Sequence, residues 1–136
     1  MSNVESPRSK ADKAAAFRAA ERVRRRVEYQ QIYDRGLRTH GRYLTLFTLS
    51  NNLPMGRLGI AATRKFGGAV ERNRAKRLIR EVFRRNKLAP GFDIVVIPKR
   101  ELLDASLTAL ETEFRNILER SLRRRRKRRR YGTASR

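Results

Sequence analysis

Apolar residues recur at spacings of three and four in three stretches of the chain and gather into short runs in three others. Val23, Val27, Tyr29, Ile32 and Tyr33 share helical spacing, and Gly36 ends that stretch as a helix C-terminal glycine would. Residues 43–49, YLTLFTL, are rich in β-formers and alternate in part with Thr, which predicts a strand. Asn51, Asn52, Pro54 and Gly56 supply turn chemistry. Residues 58–62, LGIAA, predict a second strand, antiparallel to the first if the two form a hairpin. Gly67 and Gly68 precede a helix predicted over residues 69–86. Pro90 and Gly91 break the chain before an apolar run at 92–97 that reads as a buried strand, closed by Pro98. Leu107, Leu110, Phe114, Ile117, Leu118 and Leu122 predict a last helix over residues 106–123. Helix, strands, helix, strand, helix is an α+β order, a small sheet covered by helices.

Outside residues 22–123 the apolar pattern stops. Residues 1–21 read as a flexible basic extension with helical potential near 14–26, and residues 124–136 as a disordered Arg-rich tail. A length of 136 residues fits one domain, and a hydrophobic fraction of 39% keeps its core small. The absence of cysteine excludes disulfides, thiolate metal sites and cysteine nucleophiles, and His40 is the only histidine. No window approaches the 18 or so apolar residues of a membrane span, so a cytoplasmic protein without a membrane partner is expected. The net charge is +22, and 28 of the 35 cations are arginine, whose planar fork fits phosphate. Together these features describe a small basic binding module for nucleic acid.

Placement of the charge sharpens that reading. At about 100° per residue, Ala75, Leu78, Ile79, Val82 and Phe83 fall on one face of the helix over 69–86, the face expected on the sheet. Asn73, Lys76, Arg77, Arg80 and Arg84 lie opposite, with Arg72 near the boundary. Glu71 and Glu81 are the only acids set against the eight cations between positions 72 and 87. A merely solvated face usually mixes signs, so this one points to polyanion contact. The preceding stretch, Thr63, Arg64, Lys65, Phe66, Gly67 and Gly68, leads into a helix N-terminus, which favours an anion. It lacks the spacing of a nucleotide-binding loop, so nucleotide hydrolysis is not implied. Tyr29 and Tyr33 share one face of the first helix, and Phe47 can point to the same place. Such rings serve either as core or as platforms for unpaired bases. The run RRRRKRRR at 123–130 suits any polyanion and discriminates among none.

The segment RKFGGAVERNRAKRLIRE at 64–81 resembles the signature of the bacterial ribonuclease P protein component: a basic pair, a glycine-containing helix entry, then Arg72-Asn73-Arg74 followed by Lys76-Arg77. Gly68 stands where the family often carries Asn, so no side-chain role transfers to that position. Residues 28–33 with Gly36 are similar to the family's first helix, and 58–60 and 93–97 to its strands. The resemblance covers the body and not the two ends.

What the resemblance implies is an αβββαβα two-layer sandwich with a small mixed sheet and a left-handed βαβ crossover. It implies an accessory subunit of an endoribonuclease in tRNA 5′ maturation, with no catalytic residue in the protein and Mg²⁺ held mainly by a catalytic RNA. One protein per RNA is expected, with precursor tRNA as the second partner. Catalytic-RNA contacts would fall to Arg64, Lys65, Arg72, Asn73, Arg74, Lys76, Arg77 and Arg80. The 5′ leader would lie in a cleft lined by Tyr29, Tyr33 and Phe47, with Arg72, Lys76 and Arg80 along its wall. No metal ligand is assigned. A metal-dependent protein nuclease is the first rival, and it fits poorly because Glu71, Glu81 and Asp93 do not cluster. A ribosomal-type or other structural RNA-binding protein is the second; it explains the charge but not the tyrosine pair beside the Arg-Asn-Arg helix.

Overall fold

The structure, a computed structural model, describes residues 19–86 and 90–134, with side chains along the last helix described to Arg125. Its elements are α1 (Arg26–Arg35), β1 (Leu37–His40), β2 (Leu44–Ser50), β3 (Arg57–Ile60), α2 (Ala69–Arg85), β4 (Phe92–Pro98) and α3 (Leu107–Ala134), with short 3₁₀ turns at Ala19–Glu21 and Arg100–Asp104. The order is αβββαβα, and the four strands form one mixed sheet ordered β1-β2-β4-β3.

Alternation along the strands splits the core in two. Leu44, Leu46, Leu58, Ile94 and Val96 face α2 and α3, joining Ala75, Ile79, Val82, Phe83, Leu110, Phe114, Ile117 and Leu118 in the larger cluster. Phe47 and Val95 face the other way and pack with Val23 and with Ile32 of α1. The central strands are therefore buried on both faces, which is why their sequences read as near-continuous apolar runs.

Five expectations need correction. The strand at 58–62 forms no hairpin with its predecessor: β4 lies between them, antiparallel to β2 and parallel to β3. Local pattern cannot reveal that insertion, but the register does, since it sets Arg57 opposite Asp93. Second, Leu37–His40 is a strand; its buried-exposed alternation spans only four residues, too few to stand out. Third, Val23 precedes the first helix. It is buried against the sheet and donates its N–H to the Leu58 carbonyl at 2.9 Å, a strand-edge contact that competes with helix. Residues 19–25 accordingly contain a 3₁₀ turn and a bridge at Arg22, and the rest of the expected 14–26 helix and of the 1–21 extension lies outside the described residues. Fourth, Gly36 does end α1 as expected, but with extended backbone (φ −74°) where such a glycine is usually left-handed; a Cβ there would collide with the Ile32 carbonyl, so close approach selects glycine.

The fifth correction concerns the C-terminus. α3 does not stop at Arg123 but runs to Ala134. Arginine is a good helix former, extension of a docked helix needs no new nucleus, and like charges four apart cost only a few tenths of a kcal/mol per pair. The expected disordered tail is therefore helical through Ala134.

The start of α1 is set by Glu28. Its carboxylate accepts the Arg24 and Arg25 N–H groups, each at 3.1 Å, and pairs with Arg57 at 2.9 Å. The Arg25 N–H above all, with Arg24 and Arg57, lowers its pKa from 4.5 to about 2 against the opposing effect of burial. Because the folded pKa is the lower one, this stabilisation is complete above about pH 4.5 and is lost as pH falls towards 2. In urea melts between pH 6 and 2, the stability gap between wild type and Glu28→Gln should shrink progressively below pH 4.5; a constant gap would show that the carboxylate charge contributes nothing.

Candidate nucleic-acid interface

α2 turns its apolar side to the sheet and α3 as its wheel predicts: Ala75, Ile79, Val82 and Phe83 are buried, with Leu78 packed at the margin. Packing on that face compels the rest of the helix outward. Asn73, Arg74, Arg77 and Arg80 are exposed, while Arg72 and Lys76 are half-buried along the flank. Among the described residues no carboxylate pairs with Arg74, Lys76, Arg77 or Arg80. Glu81 is engaged instead by Arg84 and Arg85, which lower its pKa through their hydrogen bonds. Four cations thus remain uncompensated on one helix, an arrangement suited to a row of phosphates.

Arg64 and Lys65 are displayed on the turn that enters α2, anchored by the buried Phe66 ring and by the Phe66 N–H bonded to the Thr63 carbonyl. Arg100 secures the turn from below by donating to the Phe66 carbonyl at 2.6 Å. The helix entry itself differs from expectation as an anion site. The Gly68 N–H is taken by the Glu71 carboxylate at 2.9 Å, and Arg100 sits 3.5 Å from the same group. An acid at the third helical position is the capping signal that foretells this. Arg72 turns back to donate to the Gly67 carbonyl at 3.0 Å, which fixes the first member of the cationic row.

The aromatic residues do meet. Tyr29 and Tyr33 lie 6.4 Å apart on α1, and Phe47 of β2 stands edge-on beneath Tyr33 at 5.1 Å, with planes at 73°. Both tyrosines are half-buried, whereas Phe47 is only 9% exposed and forms the floor. Burial raises the phenol pKa of both tyrosines above the ordinary value, so they are uncharged at neutral pH and present neutral rings to an anionic ligand. For Tyr29, a hydrogen bond at the Ile60 backbone and the charge of Arg80 oppose that rise. α2 packs beside β3, and the Tyr29 ring lies against Gly59 of that same strand, so the cationic row and the aromatic face border one strand. Beyond Phe47 the same sheet face continues with part-exposed Ile97 and Ala61.

Two features of the cleft escaped sequence reasoning. Gly59 of β3 lies against the Tyr29 ring, and a Cβ there would sit 2.8 Å from three of its atoms. A glycine inside an apolar strand is itself the signal of such a close approach. The second is a network: Arg57 donates to both Asp93 oxygens, at 2.8 and 2.7 Å, and to Glu28, while Asn51 donates to Asp93 at 2.9 Å. It clamps the start of α1 to the parallel pair β3–β4, and so sets the height of the tyrosines over the sheet. Only the strand register could disclose it.

Among the described residues no three His, Asp or Glu side chains converge as a metal-binding group, and no helix is long and apolar enough to cross a membrane.

Comparison with known proteins agrees with this geometry. The Ribonuclease P family profile matches residues 17–122. The ribonuclease P protein component of Thermotoga maritima is 44% identical over 89 residues, covering 64% of this chain and 76% of that protein. The solved structure of the ribonuclease P protein from T. maritima superposes with a TM-score of 0.68 at 38% identity, covering 74% of this chain and 96% of that one. That of Staphylococcus aureus gives 0.66 at 31% identity, covering 73% and 93%. The profile match over residues 17–122 and these relatives place the chain in the family of bacterial ribonuclease P protein components.

Proposed function

We propose that the chain is the protein subunit of a ribonuclease P particle, binding a catalytic RNA and the 5′ leader of precursor tRNA. The observation that carries this reading is the adjacency of two unlike surfaces at β3: the cations of α2 that lack a carboxylate partner among the described residues, and the neutral aromatic cleft whose Tyr29 lies against Gly59. Arg64, Lys65, Arg72, Asn73, Arg74, Lys76, Arg77 and Arg80 face the catalytic RNA. Tyr29, Tyr33 and Phe47 hold the leader, with Arg72, Lys76 and Arg80 neutralising its phosphates. Phe47 acts chiefly by supporting Tyr33, since its own faces are covered.

The protein moves no proton in this scheme. Activation of water and stabilisation of the leaving oxygen would come from Mg²⁺ held mainly by the RNA, and no residue of this chain is assigned as its ligand. The protein's cations reduce repulsion between two polyanions, and its cleft rewards a substrate that still carries a leader.

Gly59→Ala tests the cleft directly. The added methyl must displace the Tyr29 ring, and overpacking of this kind costs about 1–3 kcal/mol. In the assembled particle, the preference for precursor over mature tRNA should fall roughly 10-fold, in keeping with the removal of one stacked base. Tyr33→Ala should do the same while affinity for mature tRNA stays constant. An unchanged preference in both variants would remove the leader from the cleft.

A further inference from the structure

The basic run at 123–130 lies within α3, which continues unbroken through it. The turns before it are docked by the buried Leu110, Phe114, Ile117 and Leu118. Its own first residues are seated on the sheet. Arg124 donates to the Arg38 carbonyl at 3.0 Å and to Thr39 Oγ1 at 3.3 Å. Arg125 donates to the Thr48 carbonyl, and its guanidinium lies 5.6 Å from the centre of the Phe92 ring. These bonds fix the direction in which the helix leaves the body. α3 packs on β1 and β2, whereas α2 packs beside β3, and β1 and β3 lie at opposite ends of the sheet. The molecule thus carries two cationic helices towards opposite ends of the sheet, of which the cleft uses only one.

We propose that the helical segment 123–130 is a second RNA-binding element, which grips the sugar-phosphate backbone of double-stranded RNA. The charge density suffices: at about 1.5 Å per residue the eight cations span about 12 Å of helix, and a duplex of that length carries about seven phosphate charges, enough partners for the cations on the facing side. Seven of the eight residues are arginine, whose fork pairs with phosphate bidentately. The run contains no Asn, Gln or aromatic residue, and although arginine also pairs with guanine edges and stacks on bases, phosphate pairing is the one contact that all eight of its cations share. Backbone contact is therefore the recognition it offers at every position, and duplex RNA is bound mostly through its backbone and shape. It also lacks the apolar stripe that a membrane-surface helix requires. RNA as the class of partner rests on the proposed function, whereas the segment itself depends on neither α2 nor the cleft.

The test uses the full chain with Arg126, Lys127, Arg128, Arg129 and Arg130 all changed to Gln, which keeps helix propensity and leaves the Arg124 and Arg125 anchors in place. The probe is a short RNA duplex without leader or tRNA features, titrated across a range of salt concentrations. Duplex affinity at low salt should drop at least 10-fold, and the slope of log affinity against log salt should flatten by about 0.9 for each phosphate no longer neutralised. The preference of the assembled particle for precursor over mature tRNA should persist, which separates this element from the cleft. Lys127→Pro should weaken duplex binding more than Lys127→Gln, because it interrupts the helix as well as removing a charge. Equal effects of those two changes would overturn the helical geometry. Unchanged affinity and slope in the five-residue variant would overturn the proposal, as would intact RNA binding together with lost binding to phosphatidylglycerol vesicles.

Discussion

Changing Arg72, Lys76 and Arg80 together to Ala should lower affinity for precursor tRNA in the assembled particle by roughly 100- to 1,000-fold at low salt. That range follows from three phosphate contacts at about 1–1.4 kcal/mol each, since about 1.4 kcal/mol is tenfold in affinity. The salt slope should flatten by about one unit for each of the three phosphates released. The fold should barely respond. Arg72, Lys76 and Arg80 stand four apart on α2, so their mutual repulsion opposes the helix by a few tenths of a kcal/mol per pair and disappears in the variant. Against that gain stands the hydrogen bond from Arg72 to the Gly67 carbonyl, whose removal costs about 1 kcal/mol. Thermal melting should therefore shift by only a few degrees. Weakened binding with the fold retained is what distinguishes an interface from a structural charge cluster. Precursor affinity unchanged at low salt would remove these three residues from it.

Arg57→Ala should produce the opposite signature, a loss of stability first and of binding as its consequence. Asp93 is 5% exposed, and without Arg57 its remaining partner among the described residues is Asn51. Leaving a buried carboxylate in that state costs about 3 kcal/mol or more, so the melting temperature should fall by more than about 10 °C. Glu28 loses its ion pair in the same step, and α1 is freed at its start. Arg57→Ala/Asp93→Ala should be more stable than Arg57→Ala alone, because no buried charge is then left unpaired. Arg57→Lys should fall between, keeping the charge but not the two-pronged pairing. If Arg57→Ala melts like wild type, the network does not hold α1 to the sheet.

These two sites differ in how far a local sequence pattern can announce them. The cationic face of α2 is legible because one local period determines it: burying Ala75, Ile79, Val82 and Phe83 leaves Arg74, Arg77 and Arg80 no direction but outward. The tyrosine pair is legible for the same reason, being four residues apart on one helix. The Arg57–Asp93 pair is not, because it exists only once β4 inserts between β2 and β3 and sets a parallel register. Local alternation carries no information on which strand lies beside which. β1 is hidden by its shortness, and Gly59 goes unread although its isolation in an apolar strand marks it. The reach of α3 is underestimated when self-repulsion is weighed without the docked turns that precede it.

Reconstitution is the most direct test of the central claim that this chain serves an RNA catalyst by binding RNA. Purified protein is added to its cognate catalytic RNA at a Mg²⁺ concentration where that RNA alone cleaves precursor tRNA poorly, and release of the 5′ leader is followed. Cleavage should be restored only when both components are present, and raising the salt concentration should abolish the stimulation. Cleavage by the protein alone, or no stimulation of the RNA at any protein concentration, would contradict the claim.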